Sequence, residues 1–110
     1  MITKVSEITV EDLKSYLRIS DDLSDDDKKF LKTILNSSIN YIKNNTGIID
    51  VDKYSDLVIV VFVLCQDMYD NRTLYVDKNN VNKVVSSILG QHDNNLLWQM
   101  QVNSTKKLKY

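Results

Sequence analysis

Few residues of this chain are of a type that does covalent chemistry, and their spacing gives none of them a partner. Cys65 is the only cysteine and His92 the only histidine. A hydrolytic triad needs a histidine beside a nucleophile, whereas His92 stands in a polar stretch with no nucleophile elbow, where solvent exposure is expected. One cysteine and one histidine supply neither a disulfide nor a zinc set. Two isolated glycines, Gly47 and Gly90, cannot cradle a phosphate. The acidic run Asp21, Asp22, Asp25, Asp26 and Asp27 lacks the alternating ligands, central glycine and distal glutamate of a calcium loop. No enzymatic activity, cofactor or metal is expected.

What remains is the chemistry of recognition. Arg18 and Arg72 are the only arginines, and Arg72 follows Tyr69 and Asn71. A guanidinium offers a planar fork that binds a carboxylate through two parallel hydrogen bonds. Arg72 therefore reads in two ways: paired with an aspartate of its own chain while Tyr69 enters the core, or placed at a seam between subunits. Asp25, Asp26 and Asp27 are the acceptor in the second reading. In the first they oppose the positive end of a helix dipole. Leu96, Leu97, Trp98 and Met100 form a second candidate surface, since tryptophan and methionine are enriched as interface anchors. They serve either as a docking tail that orders on binding or as a fifth element packed on the same domain.

Nucleic acid is a weaker partner. The formal net charge of the 110 residues is −1. No helix carries a basic stripe, and Lys106, Lys107 and Lys109 alone would give weak, salt-sensitive contacts. Met1 to Glu7 holds no secretory apolar region. The longest apolar run, Leu57 to Cys65, is far short of the roughly 20 residues a spanning helix needs. The expectation is a protein made in the cytoplasm with no membrane partner.

The elements that must position these residues are helical. Proline is absent and glycine is scarce, which argues against an all-β domain with its many turns. A first helix starts at Thr9, with Asp12 three residues on in a near relative of the capping box, and buries Val10, Leu13, Tyr16 and Leu17. Ser24 or Asp25 caps a second, whose inner stripe is Leu31, Ile34, Leu35, Ser38, Tyr41 and Ile42, with Gly47 as its stop. Asp56 to Asn71 is rich in β-branched residues, which suits a central strand. Its length and the continuing face at Met68 and Tyr69 favour a helix, apolar almost all round and so the most buried. Leu74 to Val76 crosses a loop. A fourth helix, Asn79 to Leu89, buries Val81, Val84, Val85, Ile88 and Leu89 and ends at Gly90. The fold expected is all-α, a compact bundle of about four helices over residues 1–90. A C-terminal extension, 91–110, serves as an interaction tail.

Residues Ile8 to Gly90 resemble the small head–tail connector (head-completion or adaptor) family of long-tailed bacteriophages and prophages. The resemblance rests on an ordered set of features. Thr9-Val10-Glu11-Asp12-Leu13-Lys14-Ser15-Tyr16-Leu17-Arg18-Ile19 precedes an aspartate-rich loop. A long helix ends Tyr41-Ile42-Lys43-Asn44-Asn45-Thr46-Gly47. The apolar helix closes Asp67-Met68-Tyr69-Asp70-Asn71-Arg72, and a short one ends Ser87-Ile88-Leu89-Gly90. It implies a structural virion protein at the head–tail junction: a ring of about twelve subunits under the portal protein, extending the DNA channel and seating a stopper or tail-completion protein. DNA would pass without sequence-specific binding. A tail-completion protein of the same phage module, or a small helical DNA-binding protein, are the alternatives.

Overall fold

A computed structural model describes residues 2–92. The order is a 3-10 turn at Val5–Glu7, α1 (Val10–Tyr16), α2 (Asp25–Thr46), a 3-10 turn at Val51–Lys53, α3 (Leu57–Asn71) and α4 (Lys83–Gln91), with no strand among the described residues. The ambiguous run Leu57 to Cys65 is helical. Leu57, Val58, Val60, Val61, Leu64, Cys65 and Met68 all lie in the core. A strand there would have had no partner for its backbone edges.

Two capping boxes start the first two helices. Thr9 Oγ1 accepts from the Asp12 N–H at 3.2 Å, while Asp12 Oδ2 accepts from the Thr9 N–H at 2.8 Å. Ser24 and Asp27 repeat the exchange at 3.1 and 3.3 Å. Each pair satisfies two donors that a helix start would otherwise leave open. Gly47 closes α2 in the left-handed region, φ 76°, donating to the Lys43 carbonyl at 2.9 Å.

α1 and α3 end alike, but on arginine. Among the described residues, Arg18 (φ 59°) and Arg72 (φ 54°) are the two non-glycine residues with positive φ. After α1, the Ile19 N–H donates to the Lys14 carbonyl and the Arg18 N–H to Ser15; after α3, Thr73 donates to Met68 and Arg72 to Tyr69. Both patterns are Schellman motifs, in which glycine usually takes the left-handed position. An L-residue there costs about 1–2 kcal/mol.

The core joins α2 to α3 along their length. Contacts of Phe30 with Tyr69 and of Ser38 with Cys65 make the two helices antiparallel. Ser38, fully buried, donates to the Ile34 carbonyl at 2.9 Å and lies 3.2 Å from the Cys65 sulfur. A hydroxyl this small lets the helices approach closely. Burial pushes the Cys65 thiol up to about 11, so it stays protonated and unreactive at neutral pH. Thr46, also fully buried, closes the inner stripe of α2 by accepting from the Ile48 N–H.

Four expectations need correction. Tyr16 is 43% exposed rather than on the buried face of α1, its ring lying against Phe62 on the outer side of α3. Gly90 does not stop α4, which runs through it to Gln91. Val84 is exposed because Val85 and Leu89 hold the buried face of α4, and the helix starts at Lys83, capped by Asn82, later than the Asn79 expected. His92 is not a solvent-exposed turn residue: its Nε2 lies 2.7 Å from Asp56 Oδ2, and its ring is 4.5 Å from that of Tyr54. That anchorage explains why α4 continues past a residue without a side chain.

Candidate functional site

The two Schellman turns and the capped start of α2 converge at one end of the bundle. Between them is a cavity of about 190 Å³. Its apolar lining is Ile19, Leu23, Phe30 and Leu31, and its polar lining is Asp21, Asp22, Asp27, Tyr69 and Arg72. Local chemistry accounts for each wall. The left-handed turn at Arg18 throws Ile19 back onto the core, and the box at Ser24 holds Asp27 in the first turn of α2. The left-handed turn at Arg72 folds its side chain across the end of α3.

Among the described residues Arg72 pairs with no carboxylate, and the one salt bridge joins His92 to Asp56. The Arg72 guanidinium instead lies over two aromatic faces, 4.5 Å from the centre of the Tyr69 ring and 5.7 Å from that of Phe30. A guanidinium seated over ring faces, with no carboxylate partner among the described residues, keeps N–H groups available to an incoming acceptor.

The residues singled out from the sequence are thus partly brought together. Tyr69, Arg72 and Asp27 share the cavity, with Asp21 and Asp22 beside them. Asn71 faces elsewhere: its side chain donates to the Asp67 carbonyl at 2.9 Å, in a polar depression with Thr73, Tyr75, Asp77 and Asn80. Asp25 and Asp26 are exposed and do not line the cavity. Leu96, Leu97, Trp98 and Met100 lie outside the described residues.

Two features were not anticipated. Phe30, four residues before the inner Ile34, lines the cavity; its signal was an aromatic beside the Asp25–Asp27 turn. The other is an apolar strip on the outer side of α3. Ile59 is 55% exposed and Val63 half-buried, and Phe62 stacks at 4.9 Å on Tyr16, itself 43% exposed. Polar Gln66 and Asp70, bonded to each other, continue the same face.

Among the described residues no three His, Cys, Asp or Glu side chains gather as metal ligands would, and no helix is long and apolar enough to cross a membrane. The geometry offers a charged cavity, an aromatic-seated arginine and an exposed apolar strip, which are means of binding another macromolecule. Residues 7–95 match the family described as Phage gp6-like head-tail connector protein. The chain belongs to this connector family. The match takes in all four helices among the described residues of the connector and ends just before Leu96. The family is a structural one of phage particles, not a family of enzymes, and connectors meet other head and tail proteins. Neither curated proteins nor solved structures yielded a match to this connector.

Proposed function

We propose that the chain is one subunit of a ring seated beneath the portal, following its symmetry of about twelve, extending the DNA channel and presenting a seat to the stopper or tail-completion protein. The observation that carries this reading is the connector-family match across residues 7–95. Its work is recognition alone, through shape, charge and buried anchors, and DNA slides past without base contacts.

The contact surfaces follow from the side chains. Arg72, seated on Tyr69, presents its edge at the seam between subunits, and Asp25, Asp26 and Asp27 of the adjacent copy are the acceptors. Asn71 stiffens the turn that carries Arg72. Leu96, Leu97, Trp98 and Met100 dock on the assembly beyond the helical domain. The apolar strip Ile59–Phe62–Val63 with Tyr16 supports the reading, because a monomer gains nothing from leaving these side chains wet.

Negative-stain microscopy of the chain mixed with its cognate portal, beside the chain alone, tests the proposal. Portal particles lengthened by an added ring are expected. Bare portals and monomeric chain would overturn it, and a salt-sensitive gel shift on DNA would favour the nucleic-acid alternative instead.

A further inference from the structure

The cavity at the end of α3 carries more charge than the described residues lining it balance. Asp21, Asp22 and Asp27 face one guanidinium, and that guanidinium is turned onto Tyr69 and Phe30. The rest of the lining includes the apolar Ile19, Leu23, Phe30 and Leu31, around a space of about 190 Å³, on the scale of one large side chain. An apolar slot with an anionic rim calls for a segment of the opposite design: a large apolar anchor with cations close behind it.

The chain contains such a segment. Leu96, Leu97, Trp98 and Met100 are followed by Lys106, Lys107 and Lys109. We infer that the cavity of each subunit receives the C-terminal segment of a neighbouring copy, with Trp98 as the anchor and the lysines across the aspartate rim. This rests on the reading that copies of the chain sit side by side, and it names the site that joins them.

Tether length favours the neighbour over the same chain. His92 is held to Asp56, at the start of α3, whereas Tyr69 and Arg72 stand at its far end. Asp56 to Tyr69 spans about 20 Å at 1.5 Å per helical residue. The stretch from His92 to Trp98 covers at most about 22 Å fully extended. The segment therefore reaches its own cavity only if drawn out straight. A neighbour presenting its cavity near His92 meets both the apolar residues and the lysines. A contact in which one surface patch meets a different one on the next copy propagates from subunit to subunit and closes into a ring where the rotation allows.

The test uses the full-length chain with p-benzoylphenylalanine in place of Trp98, mixed with an equal amount of isotopically heavy wild-type chain. The mixture is irradiated both free and bound to portal particles. The expected product joins the light chain at position 98 to heavy peptides containing Ile19 to Phe30 or Tyr69 to Arg72. Lys106→Glu, Lys107→Glu and Lys109→Glu together in the light chain should abolish it. Asp21→Lys with Asp22→Lys in the heavy chain should restore it; both aspartates are exposed and outside every helix, so folding is spared. Products confined to the light chain, products on the portal or another face, or charge variants without effect would overturn the inference. Ring-bearing portals that lack the expected product would sink the inference and leave the ring reading standing. Bare portals would sink the ring reading, while the cross-links of the free chain still decide the inference.

Discussion

The guanidinium carbon of Arg72 lies 4.5 Å from the centre of the Tyr69 ring, three residues before it in the chain. The contact exists because Arg72 has left-handed backbone (φ 54°), which turns its side chain back over the end of α3. A cation seated on a ring at an exposed site contributes roughly 0.5–1 kcal/mol. That partly offsets the cost of the left-handed residue, about 1–2 kcal/mol.

Arg72→Ala and Arg72→Gly separate these effects. The alanine variant keeps the backbone cost and loses the stack, and should unfold about 1 kcal/mol more easily in urea. The glycine variant loses both and should stay within about 1 kcal/mol of wild type. Both should load poorly onto portals. If Arg72→Ala loads as wild type does, the seam role is wrong.

His92→Ala removes the 2.7 Å bond to Asp56 and the contact with the Tyr54 ring. Asp56 is 41% exposed, so solvent weakens this hydrogen bond, and a loss of about 1 kcal/mol is expected. Hydrogen exchange should locate the effect. Amides from Leu89 to His92 should exchange faster, with those of central α2 little changed.

The two glycines should respond oppositely to alanine. Gly90 lies inside α4 without positive φ, and a methyl group there would meet nothing within 4 Å. Gly90→Ala should raise stability by about 0.5–1 kcal/mol through helix propensity. Gly47 is left-handed at φ 76°, so Gly47→Ala should lower it by about 1 kcal/mol. Thermal unfolding of the two variants checks both signs.

Two carboxylates give opposite pH signatures. Burial, with the charge of Asp70 behind it, raises Asp67 above its ordinary 3.8. Its ionised form therefore costs stability at neutral pH, and Asp67→Asn should stabilise there. The gain should shrink as pH falls through the raised value and vanish below 3.8. Asp52 is held below 3.8 by hydrogen bonds from Ser6, first its hydroxyl and then its backbone N–H, aided by the charges of Lys4 and Lys43. Its contribution is complete above 3.8 and is lost as pH falls through the lowered value. Asp52→Asn should thus be less stable than wild type at neutral pH, the two converging in strong acid. Urea titrations across this range measure both.

The local rules of helix formation were legible in the residues themselves. Thr9 with Asp12, Ser24, and Gly47 act within a few residues of chain, so spacing alone placed the starts of α1 and α2 and the stop of α2. The inner stripe of α2 followed from its 3.6-residue period for the same reason, and so did the choice of helix over strand for the long apolar run. Gly90 read wrongly because what carries α4 onward is His92 reaching across 36 positions to Asp56, a contact that no window along the chain contains. Arg72 showed itself in sequence only as an arginine after an apolar helix. Its seat on Tyr69 and Phe30, and the meeting of the α1 turn, the aspartates and the end of α3 around one cavity, depend on α2 lying antiparallel to α3. Helices and their caps are properties of neighbouring residues, whereas a binding surface is made where distant segments pack, and only the folded chain brings those together.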